Sequence, residues 1–463
     1  MSQEMSQEAL DRAIAFIRVW LKARHAEADW PGAAVAISQR GTLLMNEAYG
    51  WANVERRIPM MPAHRFRIAS HSKTFTATAL MLLVEDGRAR LDDPVVQYVP
   101  WLRGHRDERW PHVTLRQLLS HGAGVIRDGR ETDYWQLVRP FPDRAQFESE
   151  MLDNDLVLEN NTRLKYSNYG YTLLGLVVEA VSGQPYNQFV VDRIIRPLGL
   201  QHTAPEYEAG EADLATGYSR RDNQQRRPLP HVSTHAMSSA TGFISTAADL
   251  CRCFTAHMVG SGQLLSDESK KEMQREAWAA KTPGASERTG YGLGFVVQEL
   301  GGHRVFGHSG GFPGFITLSA AAPDAGLAVV ALTNADGPAA SIVKGIYQVI
   351  QYFQEHATAS SAIPTHDGRR LEGHYLNLWG AVLLVAAGGR MVTADPGSWD
   401  PFAASEALEF VDGDTLRVAE ASSFGSEGEL VRFRWREGQV ETVSYAGSTM
   451  WPERAWRQRQ DGP

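Results

Sequence analysis

Apolar residues recur along the chain at two spacings, and each spacing predicts one type of secondary structure. Leu10, Ile14 and Ile17 follow one another at intervals of four and three, which places them on one face of a helix. The same pattern, together with helix end signals, predicts helices over 7–24, 71–86, 114–120, 169–181, 246–259 and 340–355. Short apolar runs bounded by turn residues predict strands over 33–37, 43–49, 291–298, 303–307, 314–320 and 327–333.

The order of these elements indicates an α+β fold. A helix and a hairpin come first, a mostly helical middle follows, and consecutive strands with a closing helix come last. This order is typical of one antiparallel sheet flanked by helices, with strands from both ends of the domain and an all-helical insert. Residues 205–235 are polar and flanked by proline, which predicts a long surface loop or lid.

The pattern changes after His356. Residues 357–365 are small and Ser-rich and include a proline, as linkers do. From 371 to 456 short strands alternate with turns, and Val431, Phe433 and Trp435 alternate with charged residues. We therefore expect a small all-β module, a barrel or a sandwich. The predicted division is an α+β domain over 1–356, a linker over 357–365 and a β-barrel domain over 366–463.

Composition narrows the classes of protein further. Of 463 residues, 43% are hydrophobic and 22% charged, which excludes a disordered or collagen-like chain. The net charge is −8, so we expect neither a nucleic-acid partner nor an anionic membrane. No signal peptide or membrane-spanning stretch is evident, which predicts a cytoplasmic protein. Cys251 and Cys253 point to different sides of a predicted helix, so we expect no disulfide, and no spacing suggests a metal or another cofactor.

A serine and a lysine three residues apart give the sharpest chemical signal. Ser70 stands at the start of the predicted helix 71–86, and Lys73 lies one turn along on the same face. A serine hydroxyl is a weak nucleophile unless a neighbouring base takes its proton, and a lysine whose pKa is lowered by burial can act as that base. Alone, this common spacing fits a helix cap followed by a solvated lysine better.

Two further motifs carry polar groups suited to catalysis. Tyr166 and Asn168 precede the predicted helix 169–181; tyrosine can carry a proton and asparagine can bind an amide. Residues 307–311 match the Gly-x-Ser-x-Gly motif, which would make Ser309 the nucleophile of an α/β-hydrolase. That motif needs a helix after the serine, whereas a turn and a strand follow here. We therefore interpret 307–311 as an inner sheet strand, with His308 facing a site and glycines admitting a substrate backbone.

Taken in order, the motifs at 70, 166 and 308 resemble those of class C β-lactamases and penicillin-binding proteins. The chain looks most like the esterase, D-aminopeptidase and carboxypeptidase-like members of that superfamily. Supporting segments lie at 66–70, 91–94, 114–121, 242–250 and 291–295, so the resemblance covers roughly residues 10–355. It implies a β-lactamase/DD-peptidase-like fold for this part. The C-terminal module resembles the lipocalin-like barrel that some members carry.

The resemblance implies roles for three catalytic residues. Ser70 would be the acylated nucleophile and Lys73 its base. Tyr166 would protonate the leaving group and activate the deacylating water. The function implied is that of a serine hydrolase that forms an acyl-enzyme on a small-molecule or peptide substrate.

The resemblance also implies how a substrate would be held. Asn168 would bind the substrate amide, and the strand carrying His308, Gly310 and Gly311 would line the site. The backbone N–H groups of Ser70 and Gly311 would form the oxyanion hole.

One departure from the family pattern concerns the substrate. β-Lactamases and many carboxypeptidases of this superfamily carry Lys-Thr-Gly where this chain has His308, Ser309 and Gly310. A mostly neutral histidine binds a substrate carboxylate less well than lysine does. We therefore expect weak or no β-lactamase activity, and hydrolysis of esters, amides or peptides, with D-amino-acid selectivity left open. A transacylase or peptide cyclase, a non-catalytic scaffold and a homo-oligomer also stay open.

Overall fold

The computed structural model describes residues 5–27, 29–210, 213–281, 288–357, 368–387, 390–421 and 426–460. The chain forms two compact units. One comprises Trp30–Val343, and the other combines Met1–Asp29 with Lys344–Pro463. Most of the predicted linker over 357–365 lies outside the described residues, and the predicted domain boundaries stay a prediction. No helix in the described part of the chain is long and apolar enough to cross a membrane.

Helices and strands occupy most of the positions that the sequence pattern predicts. The helices are α1 (Gln7–Glu27), α2 (Ser72–Glu85), α3 (Leu115–Leu119), α4 (Arg144–Asp153), α5 (Asn168–Ser182), α6 (Tyr186–Val190), α7 (Ala247–Ala256), α8 (Asp267–Gln274), α9 (Ala339–His356) and α10 (Glu453–Gln460). The strands before α9 are β1 (Gly32–Gln39), β2 (Thr42–Asn53), β3 (Ile58–Pro59), β4 (Phe66–Arg67), β5 (Gly217–Tyr218), β6 (Pro228–Leu229), β7 (Ile244–Ser245), β8 (Trp278–Lys281), β9 (Arg288–Tyr291), β10 (Val296–Leu300), β11 (His303–Phe312), β12 (Phe315–Ala322) and β13 (Leu327–Thr333).

The unit Trp30–Val343 is built on one antiparallel sheet of nine strands. Their order is β3-β2-β1-β13-β12-β11-β10-β9-β8, so strands from both ends of the sequence meet where β1 pairs with β13. This arrangement confirms the predicted α+β class. The predicted strand 291–298 is wrong in one respect: it is two strands, because the chain turns at 292–295, where the N–H of Gly292 donates to the carbonyl of Phe295.

Helices α2 and α5 pack against each other in the apolar core of this unit. Twelve of the 14 residues of α2 are buried, which explains its almost unbroken apolar and threonine sequence. Helix α5 starts at a serine cap, because the Ser167 side chain accepts from the N–H of Gly170, and it ends at Gly183 (φ +74°). The N-terminal ends of both helices carry the residues of the predicted site.

The predicted lid at 205–235 is more anchored than its polar sequence indicates. It contains the short hairpin of β5 and β6. Tyr218 is buried, and its hydroxyl donates to Glu55 over 2.7 Å. The buried Arg67 also donates to Glu206 over 2.9 Å, so the segment is fixed next to the strand that leads to Ser70.

The C-terminal part of the other unit is a closed barrel of eight strands, which decides between the predicted barrel and sandwich. Its strands are β14 (Gly373–Leu376), β15 (Ala381–Ala387), β16 (Arg390–Ala394), β17 (Ala407–Phe410), β18 (Thr415–Glu420), β19 (Leu430–Arg436), β20 (Gln439–Tyr445) and β21 (Ser448–Pro452). The inward positions of β19, Val431 and Phe433, are buried, as the alternation in the sequence predicts. In the same unit, Phe402 stacks on Tyr352 of α9 with ring centroids 3.9 Å apart.

Candidate active site

Ser70 lies in a tight turn that leads into α2. The turn Ala69–His71 is a 3-10 helix, and Ala69 adopts φ +48°, a left-handed conformation that is unfavourable for a residue with a Cβ. The turn is secured from the sheet side, because the buried ring of His71 lies within 2.8 Å of the Ser319 hydroxyl on β12. Such a constrained turn holds the half-buried Ser70 in one position.

Lys73 is fully buried behind Ser70. Its Nζ lies 3.1 Å from the Ser70 Oγ and donates to Asn168 Oδ1 over 2.7 Å and to the Ala240 carbonyl over 2.8 Å. Burial lowers the pKa of Lys73 well below its ordinary value; the Asp128 carboxylate raises it and the Arg127 guanidinium lowers it further. The amine is therefore more readily neutral than an exposed lysine, as a proton acceptor must be.

Tyr166 contacts the same serine. Its pKa is raised because the group is buried, and a hydrogen bond to Ser70 acts in the other direction. The Lys73 Nζ lies 4.9 Å from the centre of its ring. Ser70, Lys73 and Tyr166 therefore form one contact group, although 93 residues separate Lys73 from Tyr166 in the sequence.

Asn168 is buried between two charged groups. Its Oδ1 accepts from Lys73, and its Nδ2 donates to Asp128 Oδ1 over 2.5 Å. The other Asp128 oxygen accepts from Arg127 Nε over 3.0 Å. The predicted amide-binding residue thus carries a hydrogen-bonded connection from Asp128 to Lys73. Sequence reasoning missed Asp128, for which the Arg-Asp-Gly triplet at 127–129 was the available signal.

The ring of His308 is engaged within the protein. Nδ1–H donates to the carbonyl of Ser309 over 2.6 Å, which leaves Nε2 to accept from the Tyr291 hydroxyl at 3.1 Å. Burial lowers the pKa of His308 to about 3, and the charge of Lys73 contributes in the same direction. The sequence predicts an ordinary histidine at this position, whereas burial in the structure keeps this ring neutral well below pH 6.5.

The glycines of β11 allow the strand to approach the serine turn. A Cβ on Gly310 would lie 2.2 Å from the carbonyl oxygen of Ile68, so only glycine fits there. Gly311 lines the same cleft as Ser70, where the predicted oxyanion hole would be. Ser309 is exposed on the strand, and β12 rather than a helix follows, so the α/β-hydrolase context is absent from this segment.

His121 supports the Tyr166 segment. Its carbonyl accepts from the N–H of Lys165 over 2.7 Å, and its Nδ1 accepts from the N–H of Ser167 over 3.1 Å. Its ring also packs on Tyr166, with ring centroids 4.2 Å apart. His121 thus contacts Lys165, Tyr166 and Ser167, so it fixes the position of Tyr166 and of its two neighbours in the chain. Burial lowers the pKa of His121 well below its ordinary value, so the ring stays neutral.

A cleft of about 450 Å³ opens beside Ser70. Its wall is formed by the loop that contains Asp128, by Trp135, by the segment before α5 and by Gly311. The cleft brings together Ser70, Asn168 and Gly311 from three distant parts of the sequence. A substrate bound there would therefore lie next to the Ser70 hydroxyl.

Comparison with known proteins agrees with this geometry. Residues 17–352, more than half of the chain, match the Beta-lactamase family model. Protein flp of Staphylococcus aureus (strain MW2) is 29% identical over 173 residues, which cover 37% of this chain and 34% of that protein. The chain thus matches only about a third of the length of that relative. Penicillin-binding protein 4 of Amycolatopsis lactamdurans is 28% identical over 318 residues, covering 66% of this chain and 81% of that protein.

Solved structures share the fold. A D-stereospecific amidohydrolase from Streptomyces sp. is 26% identical with a TM-score of 0.61, covering 73% of this chain and 98% of its own. The octameric penicillin-binding protein homologue from Pyrococcus abyssi is 22% identical with a TM-score of 0.64, covering 94% of this chain and 99% of its own. The second likeness extends through the C-terminal barrel, so the two-part architecture recurs in that protein. With its motifs on this fold and the family match over most of its length, the chain belongs to the beta-lactamase family of serine hydrolases.

Proposed function

We propose that the chain hydrolyses an ester, amide or peptide bond through an acyl-enzyme at Ser70. The observation that carries this proposal is the buried Lys73 amine 3.1 Å from the Ser70 hydroxyl, with its pKa lowered by burial. A neutral amine in that position can accept the proton of Ser70 as its oxygen attacks a carbonyl carbon.

Tyr166 completes the proton path in this proposal. The raised pKa of Tyr166 keeps the phenol protonated, so it can deliver a proton to the leaving group and be reprotonated from Lys73. The backbone N–H groups of Ser70 and Gly311 would stabilise the oxyanion. In the second half of the reaction, the same groups would activate water to release the acyl group.

One structural neighbour and the state of His308 together support hydrolysis of amides over hydrolysis of penicillins. One structural neighbour is a D-stereospecific amidohydrolase. His308 is buried and neutral, so the strand presents no cation to the carboxylate of a penicillin. We therefore propose weak or no β-lactamase activity, and preference for D-amino-acid amides is the first selectivity to measure.

Labelling of the nucleophile tests this proposal. Intact protein is treated with a fluorophosphonate, and the adduct is mapped by peptide mass spectrometry; we expect one adduct, on Ser70. Ser70→Ala should remove nearly all turnover of a 4-nitrophenyl ester, because loss of a nucleophile costs several orders of magnitude in rate. The matched control is Ser309→Ala, which should keep wild-type turnover. An adduct on Ser309, or full activity in Ser70→Ala, contradicts the proposal. Adding an amine acceptor to the same assay separates hydrolysis from acyl transfer.

A further inference from the structure

The cleft beside Ser70 carries more positive than negative charge. Among the described residues that line it, two are cationic, Arg127 and Lys165, and one is anionic, Asp128. The protein as a whole has the opposite balance, with a net charge of −8. A cleft of one sign with low-dielectric walls concentrates its field and attracts a ligand group of the other sign.

The one carboxylate of this cleft is already engaged. One Asp128 oxygen accepts from Asn168 and the other from Arg127. No carboxylate in the described part of the chain forms an ion pair with Lys165, which is half-buried at the cleft wall. Arg127 contacts Asp128 through Nε, and its side chain is 64% exposed. Lys165 therefore provides a cation that a substrate anion can approach without displacing a protein carboxylate.

The position of the cleft along β11 indicates which part of a substrate it would hold. Gly311 lines the cleft and His308, three residues earlier on the strand, does not. The carboxylate of a penicillin is attached on the nitrogen side of its scissile bond, and the resemblance places it near His308. A group in this cleft, on the Gly311 side of Ser70, would accordingly belong to the acyl part.

We propose that Lys165, assisted by Arg127, binds a carboxylate carried by the acyl part of the substrate. The preferred substrates would then be half-esters or half-amides of dicarboxylic acids, or acyl groups with an acidic side chain. This inference rests on the proposed function, because it assigns the substrate class to the same site. It also supplies carboxylate recognition from a residue other than His308.

Matched esters test the inference. The first pair is the 4-nitrophenyl half-ester of adipic acid and the 4-nitrophenyl ester of adipamic acid, which differ only in carboxylate against carboxamide. A second pair, one methylene longer, tests how the preference depends on the distance between the ester and the carboxylate. We expect wild-type kcat/KM to favour the carboxylate by roughly tenfold at low salt, between the values of an exposed and a buried ion pair. The preference should decrease as ionic strength rises.

Variants separate the cleft lysine from general charge effects. Lys165→Gln should lower the ratio of kcat/KM for the half-ester to kcat/KM for the carboxamide ester from about ten toward one. Lys165→Glu should reverse the charge preference, so that the 4-nitrophenyl ester of 6-trimethylammoniohexanoate has a higher kcat/KM than the half-ester of adipic acid. The control Lys271→Gln removes the same charge from an exposed position on α8 and should keep the wild-type ratio. Equal kcat/KM for the two esters in the wild type, or an unchanged ratio in Lys165→Gln, overturns the inference.

A binding measurement distinguishes this outcome from failure of the proposed function. In a Ser70→Ala background, calorimetric titration with 6-oxoheptanoic acid and 6-oxoheptanamide, in which a methyl ketone replaces the ester, measures affinity without turnover. Tighter binding of the carboxylate that is lost on adding Lys165→Gln supports the anion site even if Ser70 is not the nucleophile. Equal affinities refute the anion site, even if Ser70 is acylated.

Discussion

The pH dependence of activity offers the sharpest test of the Lys73 assignment, because two neighbouring charges should move it in opposite directions. On the proposed mechanism Lys73 must be neutral to accept the Ser70 proton, so activity rises as pH rises through its pKa. Asp128 raises that pKa and Arg127 lowers it. The pH–rate profile has an acidic limb, the range over which activity rises as Lys73 loses its proton. Asp128→Asn should therefore move this limb to lower pH, and Arg127→Gln should move it to higher pH.

The structure gives the size of the effect. Lys73 donates to Asn168 over 2.7 Å, and Asn168 donates to Asp128 over 2.5 Å. With the amide between them the charges lie roughly 7 Å apart, and at an effective dielectric constant of about 20 they interact by about 2 kcal/mol. We therefore expect a displacement of about one to two pH units for Asp128→Asn. The effect of Arg127→Gln should be smaller, because that side chain is 64% exposed to solvent.

The assay is kcat/KM for a neutral ester, 4-nitrophenyl hexanoate, from pH 4 to 10, followed at the isosbestic wavelength of 4-nitrophenol. This quantity reports ionisations of the free enzyme, and a neutral substrate keeps the cleft charges from affecting binding. Asp133→Asn is the control, since it removes an exposed carboxylate five residues away. If the acidic limb moves in the same direction in Asp128→Asn and Arg127→Gln, or moves in neither, Lys73 is not the group whose ionisation controls the rate.

Three further predictions concern buried groups. Lys73→Arg should be as damaging to kcat as Lys73→Ala, because guanidinium does not lose its proton and the position is fully buried; steady-state kinetics with a neutral ester measures this. His121→Phe should lower the free energy of unfolding in urea by about 1–3 kcal/mol, since the Ser167 N–H loses its acceptor, and His121→Asn should recover part of the loss. Burial lowers the pKa of His257 to about 4, so its contribution to stability is present above pH 6.5 and is lost as pH falls to 4. His257→Gln should therefore reduce, by the share of one proton, the rise with pH of the free energy of unfolding in urea over that window.

The sequence predicts the local part of the site well. Ser70 and Lys73 are three residues apart where a 3-10 turn leads into α2, so the helical spacing brings them within reach. The strands of the sheet follow from short apolar runs, and the barrel from alternation along strands such as β19. The predicted strand over 291–298 was wrong because a four-residue turn interrupts an otherwise apolar run. Such a turn depends on backbone conformations at glycines, which apolar patterning does not register.

What the sequence could not give depends on contacts between distant segments. Asp128 is connected to Lys73 by hydrogen bonds through Asn168, and 40 residues separate Asp128 from Asn168 in the chain. His121 follows α3, and its hydrogen bonds are with the distant segment that leads into α5. Charge states are equally dependent on packing: His308 would titrate near pH 6.5 in water, and burial beside Lys73 removes that behaviour.

Burial has opposite consequences for the two groups that would exchange the catalytic proton. It lowers the pKa of Lys73, which favours the neutral amine, and it raises the pKa of Tyr166, which favours the neutral phenol. Both effects arise from the same loss of water, because burial costs the charged form of each group more solvation free energy than it costs the neutral form. The resting pair is thus driven toward no net charge, with the Ser70 hydroxyl between a proton acceptor and a proton donor. A substitution that admits water at this point should move both pKa values back toward their ordinary range and remove the acceptor and donor roles together.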